Sequence, residues 1–314
     1  MLVPDDIQVA CDRIAGHLRT TPTMKLDEPE LPGVAFLILE QTQHTGTFKA
    51  PGAFNRQLAA DEAEMLDPAV GIVAASGGNS GMAHAYAARE LGVPAHVFVP
   101  ATAPEVKVAR LRSYGAIVHL SGTEYLHPYD AAMDHARASG ALVCHAYDQD
   151  EIVAGAGTIG LEILEQSTGL DTILVAVGGG GLMGGIAAAV GHRIRVIGVE
   201  PGICPTLRQA LEAGAPVDIS VSGVAADSLG AAKIGAIGFT QAVAHGVESP
   251  LVTDESISEG RAWMWENQRM ALEHGAAAVI AAIRSGAYLA APGERVGLLL
   301  CGANTDPASL VARA

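Results

Sequence analysis

Lys49 lies in the stretch Glu40-Gln41-Thr42-Gln43-His44-Thr45-Gly46-Thr47-Phe48-Lys49-Ala50-Pro51-Gly52-Ala53, and the only other lysines in the chain are Lys25, Lys107 and Lys233. A lysine flanked by Phe48 and a Pro-Gly-Ala turn is poorly placed as a solvated charge. Partial burial penalises the ammonium form and lowers its pKa, leaving a free amine that can form a Schiff base with a carbonyl. The ordinary reading of a single lysine is a helix start with its head in water. Three further segments, each ending an apolar run, weigh against that reading here.

Gly178-Gly179-Gly180-Gly181-Leu182 follows the β-branched run Thr172 to Val177 and precedes a small-residue stretch from Met183 to Val190. Successive amides without side chains approach an anion closely, and the N-terminus of a following helix adds favourable polarity. Neither a Walker lysine nor the Gly-x-Gly-x-x-Gly spacing is present, which argues against a nucleoside triphosphate or a dinucleotide. Ser76-Gly77-Gly78-Asn79-Ser80-Gly81 is a second such turn. Its hydroxyls, amide and backbone donors suit a substrate carboxylate, although N-capping is the commoner use of Ser and Asn. Cys301-Gly302-Ala303-Asn304 closes the last expected strand; alone, Cys301 reads as a small buried hydrophobe.

The elements that must position these turns alternate. Short apolar runs at 35–39, 71–75, 95–99, 116–120, 141–145, 172–177, 195–199 and 296–300 are separated by helical patterns, the rhythm of parallel sheets covered by helices. Ligands of open parallel sheets gather at the carboxyl ends of strands, so the three turns are expected to share one pocket. An opening helix is expected to be capped by Asp5 or Asp6, with Ile7, Cys11, Ile14 and Leu18 on one face.

The 314 residues are 49% hydrophobic, enough for a large core in two lobes, and the formal charge of −15 disfavours nucleic acid or an anionic membrane surface. A small-molecule partner follows. No apolar run approaches the length of a membrane span, and the N-terminus has no basic segment before an apolar stretch, so the expected location is the cytoplasm. Cys11, Cys144, Cys204 and Cys301 are scattered, and the histidines show no His-x-x-x-His pair, so no metal is expected. His44 and His84 lie near motifs and stay candidates.

Taken together, these segments resemble the fold-type II pyridoxal-phosphate enzymes, and within them the serine/threonine dehydratase family that also contains serine racemase. The likeness runs through Arg13-Ile14, Thr21-Pro22, Thr45 to Lys49, Ser76 to Gly81, Ala154-Gly155-Ala156-Gly157-Thr158-Ile159, the glycine tetrad, Gly198-Val199-Glu200-Pro201 and the Cys301 turn. It implies an α/β protein of two lobes, each an open, mostly parallel sheet covered by helices, as in tryptophan synthase β. Residues 1–70 and 147–314 would form the large cofactor-binding domain and 71–146 a small mobile domain that closes on substrate.

The same resemblance implies pyridoxal 5'-phosphate held by Lys49 as a Schiff base, with Phe48 against the ring. Gly178, Gly179, Gly180, Gly181 and the Leu182 amide would hold the phosphate. Asn79 would contact the ring hydroxyl, and Ser76, Gly77, Asn79 and Ser80 would form the carboxylate loop. Cys301 would face the pyridine nitrogen, where a neutral group makes the ring a weaker electron sink than an Asp would and favours elimination. The expected reaction is dehydration and deamination of threonine, serine or a related β-hydroxy amino acid to a 2-oxo acid and ammonia, by a homodimer.

Gly77 stands where serine racemase has a second acid/base serine, which disfavours racemisation. After Glu200-Pro201 the acidic pair of the metal-bearing members is missing, and Glu200 alone is a poor hard-cation site. The length excludes a large C-terminal regulatory domain. Thr47, Pro51 and Ala226-Asp227-Ser228-Leu229-Gly230 also depart from the commoner pattern, leaving the side chain of the substrate open. Tyr114 and Tyr129 read as aromatic core. The competing readings are β-replacement or racemisation on the same cofactor and, from another class, a non-catalytic amino-acid binder.

Overall fold

The computed structural model describes residues 1–27, 33–122, 126–167 and 169–311. Its strands are β1 (Thr23–Leu26), β2 (Val34–Ile38), β3 (Ile72–Ala75), β4 (Ala95–Val99), β5 (Ile117–Leu120), β6 (Leu142–Val143), β7 (Thr172–Ala176), β8 (Arg195–Pro201), β9 (Leu251–Val252) and β10 (Arg295–Leu299). The α-helices are α1 (Pro4–Ile14), α2 (Lys49–Glu62), α3 (Asn79–Glu90), α4 (Glu105–Ser113), α5 (Leu126–Ser139), α6 (Asp150–Gln166), α7 (Gly181–Val190), α8 (Thr206–Ala213), α9 (Ala226–Leu229), α10 (Ala236–His245), α11 (Asp254–Trp263), α12 (His274–Ser285) and α13 (Ala308–Val311).

The strands form two sheets, in the orders β1-β2-β10-β7-β8-β9 and β5-β4-β3-β6. All pairings are parallel except that of the edge strand β1 with β2. The fully buried apolar runs of β7 and β8 explain this, since a parallel strand must be covered on both faces. The two-lobed, helix-covered architecture expected from the sequence is the one observed. Among the described residues no helix is long and apolar enough to cross a membrane.

Glycine sets the helix packing. A Cβ on Gly52 would stand 2.8 Å from the Ile152 carbonyl oxygen, and one on Gly155 would stand 2.6 Å from that of Pro51. Two residues further along α6, on the opposite side, a Cβ on Gly157 would lie 2.7 Å from the Gly185 carbonyl oxygen of α7. The Ala154 to Ile159 motif is therefore a double contact face: α6 receives α2 on one side and α7 on the other, with backbones nearly touching. This stack brings the start of α2, with Lys49, beside the start of α7, with the glycine tetrad.

Local details differ from expectation. Helix α1 starts at Pro4, where the missing N–H costs nothing, and Asp6 is not its cap but reaches back to accept the Val3 N–H at 2.9 Å. Leu18 lies beyond its end. The run 141–145 yields only the two-residue β6, because the chain must turn at His145. The edge strands β1 and β9 are too short to show alternation. Tyr114 is half-buried against the second core, but Tyr129 is 37% exposed and not core. The histidines are less dispersed than their numbers imply: His96 and His119, on adjacent strands, have ring nitrogens 2.9 Å apart and lie with His135 of α5 against Phe98. Among the described residues no group of three metal-ligating side chains converges on a point.

At the amino ends of β7, β8 and β10, Glu294 accepts from Thr172 and Tyr288 at 2.6 Å, from the Ala291 N–H at 2.7 Å and from Arg195 at 3.1 Å. Burial pushes its pKa up, but these donors and the Arg195 charge outweigh burial and bring it to about 2. A folded-state pKa below the unfolded value stabilises the fold above about pH 4.5, and that contribution fades as pH falls through about 2. Glu294→Gln is expected to destabilise by about 1–3 kcal/mol at neutral pH, with the gap to wild type narrowing toward pH 2. Urea denaturation across pH reads this; a gap independent of pH contradicts it.

Candidate active site

Each sheet reverses its strand order at one place. In the larger sheet the chain runs outward from β7 to β8 and β9, then returns to insert β10 on the other side of β7. In the smaller, β3 leads out to β4 and β5 before β6 returns beside it. A crevice opens at the carboxyl ends of strands that flank such a reversal. The glycine tetrad follows β7, the Cys301 turn follows β10 and the Ser76 loop follows β3, so all three stand at switch points.

Backbone pairing delivers Lys49 to the same place. Thr47 bridges Gly302, the Phe48 N–H donates to the Cys301 carbonyl at 3.0 Å, and the Thr47 hydroxyl donates to it at 3.2 Å. Helix α2 then begins at Lys49. The Lys49 ammonium donates to the Ala146 carbonyl at 2.8 Å and lies 4.7 Å from the centroid of the Phe48 ring. Although Lys49 is only half-buried by surface, protein surrounds its amine closely enough that burial lowers its pKa from 10.5 to about 8, against the opposing pull of Cys301 and Glu273. Burial drives the Cys301 thiol far above its ordinary range, so at neutral pH it is uncharged. Glu273 is then the counter-charge that matters.

The tetrad is packed too closely to admit side chains. Gly180 has φ +81°, a conformation that strains any L side chain, and it is the N-cap of α7. A Cβ on Gly178 would lie 2.8 Å from the Leu229 carbonyl oxygen, one on Gly179 would enter the Tyr147 ring, and one on Gly181 would reach 2.5 Å from the Tyr147 carbonyl oxygen. The first intrahelical bond runs from the Gly184 N–H to the Gly180 carbonyl, so the N–H groups of Gly181, Leu182 and Met183 lie ahead of the helix ladder. Phe48, Lys49, Gly181 and Leu182 line one cavity with Gly52, Tyr147, Ile152 and Ala156.

Helix α3 starts at Asn79, and its first intrahelical bond runs from Met82 to Gly78, which leaves the N–H groups of Asn79, Ser80 and Gly81 as helix-end donors. Ser76 and Gly77 are half-buried before it, and Ser80 is buried. The Asn79 side chain is spoken for. Its amide nitrogen donates to both Glu273 oxygens at 2.9 and 3.0 Å, and its oxygen accepts from Asn304 at 2.8 Å. Asn304 also donates to the Thr45 carbonyl at 2.9 Å, and the Glu273 N–H donates to the Gly302 carbonyl at 3.1 Å. Burial, first, and the Asp227 charge raise the Glu273 pKa to about 7, while the Asn79 bond and Lys49 lower it.

Sequence reasoning found every turn here but missed Glu273, Ala146 and the role of Asn304. Glu273 sits directly before the small-residue helix α12, which reads as an N-cap; nothing in the sequence shows that its side chain turns to a residue 194 positions away. His44 stacks on Tyr86 at the rim, and Glu200 serves a different purpose from ion binding. The buried Glu200 carboxylate accepts from Leu207 and Arg208 N–H groups at 2.7 and 2.8 Å and from the Ser249 hydroxyl at 2.6 Å, which fastens it to the start of α8.

A partly deprotonated amine, a side-chain-free cradle of helix-end N–H groups, a flanking aromatic ring and an uncharged thiol at a strand end fit a phosphorylated aromatic aldehyde. The pyridoxal-phosphate dependent enzymes match residues 14–302 of the chain. It is 35% identical over 302 residues to the phenylserine dehydratase of Ralstonia pickettii, covering 95% of this chain and 91% of that protein. It is 32% identical over 277 residues to an L-threonine ammonia-lyase of Thermotoga maritima, covering 87% and 68%. Its structure is similar to that of maize serine racemase, with a TM-score of 0.90 at 29% identity over 98% and 95% of the two chains.

Gly179→Ala, which places a methyl in the Tyr147 ring, is expected to weaken cofactor retention by about tenfold or more. Gly202→Ala, whose nearest neighbour would be 3.6 Å away, is the control. Equilibrium dialysis followed by visible absorbance measures both, and equal retention contradicts the cradle.

Proposed function

Because this chain belongs to the fold-type II pyridoxal-phosphate-dependent enzymes, in the serine/threonine dehydratase-like family, we propose that it is an ammonia-lyase. It converts a β-hydroxy amino acid such as threonine, serine or phenylserine into a 2-oxo acid and ammonia. Bound pyridoxal phosphate supplies the electron sink that acidifies the substrate α-carbon. Every other part of the chemistry falls to side chains and backbone of this chain.

Lys49 would hold the cofactor through its amine and, with that amine free, would take the substrate α-proton onto Nζ. Its lowered pKa suits this task, since a general base works best when its pKa is near the working pH. The N–H groups at the start of α3, with Ser76 and Ser80, take the substrate carboxylate. Gly178 to Gly181 and the Leu182 amide hold the phosphate, and Phe48 covers the ring. Asn79, fixed between Glu273 and Asn304, would keep one lone pair of Oδ1 with which to accept from the ring hydroxyl. The β-hydroxyl would leave as water, balanced by the proton that Nζ took from the α-carbon, and the resulting enamine would hydrolyse to the 2-oxo acid and ammonia.

Elimination is supported by the buried, uncharged Cys301 thiol, which on this reading would face the ring nitrogen and, being neutral, would not hold that nitrogen protonated. Gly77 offers no hydroxyl for racemisation, and a Cβ added to it would set out toward Val99 at 3.3 Å. The segment 71–146 acts as the mobile small domain. Its Lys107 stands 4.0 Å from Asp227 of α9 across the cleft, a contact that favours closure. On this reading the enzyme is a cytoplasmic homodimer; its four unpaired cysteines suit a reducing compartment.

Purified enzyme is expected to release 2-oxo acid and ammonia in equal amounts from at least one of L-threonine, L-serine and L-phenylserine, and Lys49→Ala to abolish this. Products retaining the amino group point instead to replacement or racemisation. Cofactor binding without turnover of any substrate points to a binder and contradicts the proposal.

A further inference from the structure

Asn304, Asn79 and Glu273 form a line of hydrogen bonds whose direction is fixed at both ends. At one end stands the Thr45 carbonyl, which can only accept, and it takes an N–H of Asn304 Nδ2 at 2.9 Å. The same nitrogen donates to Asn79 Oδ1 at 2.8 Å. Asn79 Nδ2 is thereby turned to the other end, the Glu273 carboxylate, whose oxygens lie 2.9 and 3.0 Å away. A side-chain amide often fits its site either way round. Turning Asn79 over would set its NH2 against that of Asn304 and its oxygen against a carboxylate. Thr45 itself holds φ +66°, a conformation that strains a β-branched residue, and it is this residue that offers the terminal carbonyl.

The line crosses from one sheet to the other. Asn79 opens α3, which connects β3 to β4 in the four-stranded sheet. Asn304 follows β10 of the six-stranded sheet, and Glu273 precedes α12, which packs on β7, β8 and β10 of that sheet. Glu273 is 5% exposed, and the backbone around it is held in place. Its own N–H donates to the Gly302 carbonyl at 3.1 Å, and the Gly275 N–H donates to Ser228 Oγ at 3.1 Å. A buried carboxylate needs donors, and the start of α3 supplies one from the other sheet.

We propose that Glu273 is a positioning residue for the start of α3: through Asn79 it seats the helix-end N–H groups of Asn79, Ser80 and Gly81, which take the substrate carboxylate, against the half of the molecule that carries Lys49. Asn304 holds the same amide from its oxygen side. The seat sets where the substrate carboxylate lies relative to the amine that takes the α-proton, so its loss weakens substrate binding before it affects any group that reacts.

This inference rests on the proposed function for the task of α3, but one of its two readouts is independent of turnover. Glu273→Gln keeps an acceptor for Asn79, and Glu273→Leu keeps similar volume without one. Both remove the charge that acts on Lys49, so kcat is expected to fall in both, and the difference between them reads the bond. Glu273→Leu is expected to have a KM about tenfold or more above that of Glu273→Gln, the worth of one lost buried bond. In apoprotein and holoenzyme alike, amide hydrogen exchange in the peptide from Ser76 to Ala83 is expected to be about tenfold or more faster in Glu273→Leu than in Glu273→Gln. Asn304→Ala frees the Asn79 oxygen and leaves the Glu273 charge in place; it is expected to raise KM and speed the same exchange, and it decides the matter if Glu273→Leu does not fold. Equal KM or equal exchange in the Gln and Leu variants, or an Asn304→Ala variant with wild-type KM and exchange, overturns the proposal. A wild type without lyase activity but with the expected pattern of exchange would sink the reaction and leave the positioning role standing.

Discussion

Taking one ammonium ion out of water is the constraint on which this structure turns. A lysine amine in bulk water is protonated at neutral pH and inert as a nucleophile. Around Lys49, burial removes hydration that the Ala146 carbonyl and the face of Phe48 only partly replace. The compromise leaves the amine ionisable near physiological pH. Glu273, whose charge acts on that amine, is itself raised by burial to about 7, so both groups ionise close to neutral pH. Neither group could be placed this way on a surface loop; both need the crevice between β7 and β10 and the helices that roof it.

The crevice depends on how closely backbones approach. Gly52, Gly155, Gly157 and Gly185 let α2, α6 and α7 stack without intervening side chains, which sets the amine beside the anion cradle. Thr206 extends this logic beneath the cradle: its hydroxyl donates to the Gly178 carbonyl at 2.6 Å and also lies 3.0 Å from Glu200. The buried Glu200 carboxylate is satisfied by a helix start and the Ser249 hydroxyl.

Much of this was legible in the residues because turn chemistry is local. A β-branched run ending in four glycines, or an alanine-rich helix opened by Ser-Gly-Gly-Asn, encodes a strand, a turn and a helix start within a dozen positions. The strand rhythm likewise gives two covered parallel sheets. Long-range choices were not legible. Glu273 follows the pattern of an N-cap, and its reach to Asn79 depends on how α12 and α3 meet across the cleft. The Ala146 carbonyl carries no side-chain signal at all. The opening helix differs from expectation at both ends: Pro4 at its first position outweighs the capping preference of Asp5 and Asp6, and the helix stops at Ile14, short of Leu18.

The most direct test of the account is to reduce the holoenzyme with borohydride, digest it and locate the attached pyridoxyl group by mass spectrometry. The account predicts the label on the peptide containing Lys49, with Lys25, Lys107 and Lys233 unmodified. A label on any of those three in place of Lys49, or no covalent label in protein that retains the cofactor, would contradict it.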